Sequence, residues 1–298
     1  MKFIKKIILV IFALIINGKV SAQLNPLGVQ YFQNQYLANP ALAAYNGGLT
    51  LNGGLRQQWS KMPGSPIAGA LTAEYRAKEK VGVGLTLFNE KAGLIEYTQV
   101  KGTYAYHLTL NNDKQALHFG VSLGISDNRI ALEKLNGDMG DISIGRYNNR
   151  ETYLDGDFGI AYTDNHLNIQ ASIPNMKSFF ETDNNNTVNY ATFYSAVSYK
   201  LNFGSGMTAG SLEPKVAFRG INGYKNLLDA GANLGIINNQ IILSGMYHSS
   251  KSATFGLGIN YRKSLSILGM YTTETADLSG YTNGNFEIGI RYHHLKKK

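Results

Sequence analysis

His107, His118, His166, His248, His293 and His294 are the side chains of this sequence best suited to moving protons. Hydrolysis by a serine nucleophile would need one of them beside a hydroxyl, with a carboxylate or amide orienting the ring. His118 and Ser122 alternate onto one face of a common strand, but four residues of strand hold them about 13 Å apart. His107 on a neighbouring strand could sit closer, yet no spacing fixes that geometry. No catalytic residue is assigned, and the chain is not read as an enzyme.

Other chemistries find less support. The run Asn136-Gly137-Asp138-Met139-Gly140-Asp141 has the flavour of a calcium loop but lacks regularly alternating oxygen ligands and a closing glutamate, so it reads as a solvated outer loop. Cysteine is absent, which removes thiolate nucleophiles, disulfides and Cys-ligated metals. Gly54 and the Gly82/Gly84 pair lie in strand-like runs with no helix behind them, so they relieve crowding or bend a sheet rather than cradle phosphate. The expected metal and cofactor sites are none.

The elements that would carry these residues are strands. Leu117, Phe119, Val121, Leu123 and Ile125 alternate with His118, Gly120, Ser122 and Gly124. The same period of two runs through Ala253–Tyr261 and Phe286–Tyr292. Strands of about 9–11 residues, greasy on one side and polar on the other, suit a tilted membrane crossing. Marking every such run gives candidate strands near 49–59, 67–77, 81–90, 96–110, 115–129, 152–163, 166–173, 190–203, 212–220, 226–236, 240–248, 252–262, 264–274 and 284–294. The fold expected is all-β: a transmembrane antiparallel up-and-down barrel of outer-membrane type with about 14 strands, an even number as such barrels require. Connections alternate in length as well, with both long loops, 130–151 and 174–189, on one side and short turns on the other. A soluble β-sandwich or propeller fits less well, because strands of this length exceed the usual five or six residues. Tyr97, Tyr153, Tyr162, Tyr190, Tyr247, Tyr261, Tyr271 and Tyr292 sit near strand ends and are expected to form an interfacial girdle.

The ends frame this barrel. Lys2, Lys5 and Lys6, the apolar run Ile7 to Ile16, and Val20-Ser21-Ala22 have the order of a secretory leader, with cleavage expected near Ala22-Gln23. A ten-residue helix spans only about 15 Å and cannot cross a core of about 30 Å. The expected divisions are therefore 1–22 signal peptide, 23–48 periplasmic or plug segment, 49–294 barrel and 295–298 basic tail. The formal charge of +8 falls to +4 without the four leader lysines, so a basic stripe for nucleic acid is not supported. On the polar face Glu74, Arg76, Lys101, Asp155, Asp157, Glu213, Lys215, Arg219, Asp229, Glu287 and Arg291 mix both signs. That mixture favours mutual pairing and a narrowed or plugged lumen over a single-sign ion filter.

A family resemblance rests on the segment ahead of the first strand. Gln30-Tyr31, Leu37, Asn39-Pro40-Ala41 and Gly47-Gly48 lead into Leu55-Arg56-Gln57-Gln58-Trp59 and the loop Pro63-Gly64-Ser65-Pro66. Val81-Gly82-Val83-Gly84-Leu85, Phe88–Gly93 and Tyr104–Leu108 follow. In order and spacing these motifs resemble the PorP/SprF family, from about residue 23 through the strand at 284–294. The resemblance implies a type IX secretion system protein of the Bacteroidetes outer membrane, assisting export or surface attachment of particular proteins such as gliding adhesins. Implied partners are outer-membrane lipid and the secretion machinery or an exported surface protein. Tyr31, Phe32, Asn39, Pro40, Trp59, Phe179 and Phe180 are the partner-contact candidates, since aromatic side chains dominate interfaces. The competing expectation is a passive channel for small or hydrophobic solutes.

Overall fold

A computed structural model describes residues 28–111, 115–130, 152–180, 191–221, 226–262, 264–274 and 283–295. The leader, the strand-like residue Tyr190, the Asn136–Asp141 run and the terminal lysines lie outside those residues.

Alternating side chains produce the expected sheet. Its strands are β1 Leu49–Gln58, β2 Ile67–Lys78, β3 Val81–Ala92, β4 Ile95–Asn111, β5 Gln115–Ile130, β6 Tyr153–Thr163 and β7 Leu167–Ile173. β8 runs over Ala191–Tyr199 and resumes after Lys200 as Leu201–Phe203. Then come β9 Gly210–Ile221, β10 Leu227–Ile236, β11 Ile241–His248, β12 Ser252–Tyr261, β13 Leu265–Thr272 and β14 Asn285–His294. Every strand pairs antiparallel with its sequence neighbours, and β14 closes on β1 from Leu49↔His294 to Gln58↔Asn285. The result is a closed 14-strand barrel. Closure leaves no long unpaired sheet edge, which a bilayer would not tolerate.

Polarity is inverted relative to a water-soluble protein. Leu123 and Leu257 are 63% and 64% exposed on the outer face, while Ser126, Asp229 and Lys215 are essentially fully buried inside. Rows of exposed Leu, Ile, Val, Phe and Tyr running round the outside are stable only where hydrocarbon replaces water. Tyr247, Tyr261, Tyr271 and Tyr292 lie in this outer layer as expected. Tyr97 does not: it points inward, 5% exposed, with its hydroxyl on Ser126, because β4 puts odd-numbered residues in the lumen at this level. Tyr153 also shares the inward row of Asp155 and Asp157, where the Lys177 ammonium lies 4.3 Å from its ring.

One rim gathers the short turns, the start of β1 and the end of β14. The other gathers the long connections, including a short helix Met176–Phe180. Residues 28–48 occupy the lumen as a helical turn, α1 (Val29–Phe32), and two 3-10 turns, Gln35–Leu37 and Pro40–Leu42. Asn39 is extended, as a residue before proline prefers, and its side-chain oxygen caps the last turn at the Ala41 amide.

Candidate functional site

The lumen is the built site of this molecule, because its wall is shaped for the irregular segment it holds. Lumen-facing glycines make the seat. A Cβ on Gly120 would stand 2.2 Å from the Pro40 carbonyl carbon, and one on Gly84 would stand 2.5 Å from the Tyr36 hydroxyl. Gly82 meets the Ala43 carbonyl and Gly289 meets Val29 in the same way. The strand glycines thus do more than relieve crowding: Gly120 and Gly82 let backbone lie on backbone, and Gly84 and Gly289 admit the Tyr36 and Val29 side chains. Gly48, at φ 66°, turns the segment into β1 against the His294 carbonyl, where a side chain has neither the conformation nor the space.

Charged wall residues then bond the segment's main chain. Glu287 on β14 accepts the Gly28 and Val29 amides at 2.7 and 2.9 Å, satisfying donors at the start of α1. Glu74 on β2 accepts the Ala44 amide at 2.8 Å, and Arg76 donates to the Ala44 and Tyr45 carbonyls. Lys215 on β9 donates to the Tyr31 carbonyl and to Gln35, and Arg291 donates to the Gln33 carbonyl at 3.3 Å. The expected mutual pairing also occurs, with Lys101 on Asp157 at 2.6 Å and Arg219 on Asp229 at 2.8 Å. Arg56, another inward charge of β1, was not among those picked out by the alternation. A segment without regular structure leaves many backbone groups unpaired, and where the wall shuts them from bulk solvent each must find a partner.

Two polar chains look chemical and act as struts. Asp229 Oδ1 holds His248 Nδ1 at 2.7 Å, and His248 Nε2 meets Thr254 Oγ1 at 2.8 Å. That is the order of a carboxylate–imidazole–hydroxyl relay. Asp229 is shared, however, with the Arg219 guanidinium and the Tyr31 hydroxyl, the latter at 2.7 Å. Burial pushes the Tyr31 phenol well above its ordinary pKa, so it stays a donor. Thr254 lines a cavity of about 10 Å³ beneath α1, room for about one water and no substrate. The second chain joins His107 and His118 through Nδ1 atoms 2.7 Å apart. The Ala43 carbonyl can only accept, so His107 Nε2 carries a hydrogen, His118 donates between the rings, and Thr163 donates to His118 Nε2. His118 and Ser122 do not meet; Ser122 bonds Thr103 instead.

The residues singled out as partner contacts separate into two groups. Tyr31, Asn39 and Pro40 are buried in the lumen, with Asn39 donating to the Ile160 and Ala171 carbonyls, and Phe32 is half-buried beside Lys215. Contact between these residues and another protein would require the segment to leave its seat. Trp59, half-buried, follows β1 at the long-loop rim and its amide donates to Gly284. Phe179 and Phe180 on the short helix are 47% and 75% exposed at that rim, stacked edge to face. Asp229, Glu287 and Lys215 were legible only as inward charges and His248 only as one of six histidines, because cross-strand register is not written in any one run.

A model of the family described as "Type IX secretion system membrane protein PorP/SprF" matches residues 20–292. Among curated proteins, none matches the chain. Among solved structures, the Ralstonia pickettii toluene transporter TbuX is similar at 13% identity and a TM-score of 0.52, covering 87% of this chain and 93% of its own. The P. putida toluene transporter TodX, at 12% identity, has a TM-score of 0.49 over 87% and 94%. The Acinetobacter baumannii outer membrane protein Omp33, at 7% identity, has a TM-score of 0.47 over 83% and 98%. The TbuX likeness carries the fold alone: an outer-membrane-type barrel.

Proposed function

Because the chain belongs to the PorP/SprF family of type IX secretion system membrane proteins, we propose that it assists the secretion or surface attachment of specific exported proteins by protein–protein contacts. Gliding adhesins are the cargo class that fits this reading. The leader is cleaved near Ala22-Gln23, the short-turn rim faces the periplasm, and the long loops face outward, as barrels of this kind are oriented. Phe179, Phe180 and Trp59 at the outer rim are the contact residues. The observation that carries the reading is the lumen: residues 28–48 are bonded into its wall from Glu287 to Glu74, so surfaces, not a conduit, remain for function. Deleting the gene should strip one or a few exported proteins from the cell surface; an unchanged surface proteome removes the proposal.

The second reading is a passive channel for small or hydrophobic solutes, favoured by the barrel likeness to TbuX. It requires residues 28–48 to leave the lumen. Planar-bilayer conductance or solute uptake by the purified full chain would favour it, and a silent bilayer counts against it.

A further inference from the structure

The net charge of the chain is sorted by rim. The described short turns carry Lys78, Lys80, Lys200 and Arg262 against Glu79 and Asp164. By chain order, Lys114 and Lys263 belong to connections at the same rim and the three terminal lysines follow β14, with Asp113 the remaining acid; these six lie outside the described residues. That makes nine basic residues to three acidic. By chain order, the long connections and their strand ends hold nine basic and ten acidic residues, eleven of them outside the described residues, and the lumen wall holds six and seven. The whole positive excess beyond the leader therefore sits at one end. No ion pair among the described residues involves Lys78, Lys80, Lys200 or Arg262.

A second feature shares that rim. Beyond Tyr199, β8 continues as Leu201–Phe203 and pairs only with Gly210–Leu212, leaving the side toward β7 open. Lys200 exchanges bonds with His166 on that side, so strand alternation aims the Asn202 main chain at the vacant edge. Leu201 and Phe203 are exposed there, and Met207, 82% exposed, forms the tip. Four residues of strand past Tyr199 rise about 10 Å once tilt is allowed for, further than a headgroup layer of about 5–7 Å. With exposed Tyr199 taken as the interfacial aromatic of this strand, the tip stands beyond the headgroups, where an exposed Met and Phe mark a protein contact.

We propose that the short-turn rim docks the acidic, partly apolar face of a periplasmic protein, with the β8–β9 hairpin as its anchor. Lysines and Arg262 steer the encounter and set its salt dependence. Met207 and Phe203 fill the partner's pocket, and the open edge accepts one of its strands. The inference rests on the orientation proposed above and gives the secretion reading its periplasmic partner.

The test places a photo-crosslinking amino acid at Met207 in the full chain, irradiates native outer membranes and identifies adducts by mass spectrometry. We expect one predominant periplasmic protein with an acidic surface. Its adduct should fall about tenfold or more in the K78E/K80E/K200E/R262E variant and in about 0.5 M salt. Heat-modifiable gel mobility shows that this variant still forms a barrel. Adducts confined to lipid or peptidoglycan, no adduct, or a protein adduct indifferent to both charge reversal and salt each overturn the inference. The secretion reading fails separately, through an unchanged surface proteome on deletion.

Discussion

A Cβ on Gly159 would stand 2.0 Å from the Asn39 side-chain oxygen, which already accepts the Ala41 amide at 3.0 Å. Wall and plug are therefore fitted to each other at this level, with no slack for a methyl group. Replacing Gly159 or Gly120 with valine should expel the middle of the segment while leaving strand pairing intact. The expected outcome is measurable ion conductance from a barrel that keeps normal heat-modifiable mobility. A silent G159V barrel would show that the segment tolerates displacement without opening a path.

Asp229 ties the plug to a buried charge network of the wall. It accepts from Arg219, His248 and Tyr31, on two strands and the plug. Asp229→Ala leaves the Arg219 guanidinium buried without its carboxylate, which typically costs about 3–5 kcal/mol. Tyr31→Phe removes a single bond to a charged acceptor, about 1.5–3 kcal/mol. Urea midpoints of the folded barrel in detergent should fall in that order, with D229A below Y31F and both below the parent.

Deleting residues 28–42 removes every partner of Glu287, Lys215 and Gln170 on the plug while leaving Gly48 and β1 in place. The truncated barrel should conduct in planar bilayers where the full chain does not. Its urea midpoint should fall below the parent's, because the wall loses the packing and hydrogen bonds that residues 28–42 supply, while water entering the lumen hydrates Glu287 and Lys215.

The barrel was legible because it repeats: a period of two survives in fourteen segments, and its inward and outward rows need no knowledge of neighbours. Tyr97 shows the limit. Proximity to a strand end put it in the girdle, while its parity on β4, shared with Gln99 and Lys101, puts it inside. The segment at 23–48 was legible as a periplasmic or plug piece, but not its seat. Its anchors are pairs such as Glu287 with Gly28, 259 residues apart, and nothing local couples them. The Asp229–His248–Thr254 chain crosses three successive hairpin strands, and it depends on the cross-strand register that places Asp229 opposite His248, which no single run specifies.

At the long-loop rim, Phe179 and Phe180 pack edge to face and are exposed. Converting both to alanine should leave the unfolding free energy from urea titration within about 0.5 kcal/mol of the parent, as exposed substitutions do. If they contact an exported protein, surface retention of that protein should fall severalfold in the double variant, read by surface biotinylation. Retention equal to the parent's moves the contact elsewhere on the rim.

The central claim is that the barrel serves secretion with its lumen occupied. A Cβ on Gly159 would stand 3.0 Å from Asn39 Cγ, and the chain has no cysteine of its own, so Asn39→Cys with Gly159→Cys offers a single lock between plug and wall. The decisive measurement is surface display of the dependent exported protein in cells carrying this pair, with and without reductant. Display that stays at the parental level while the disulfide is formed is the result this account predicts. Display lost on locking and restored by reduction would contradict it, because the segment would then have to leave the lumen for the protein to work.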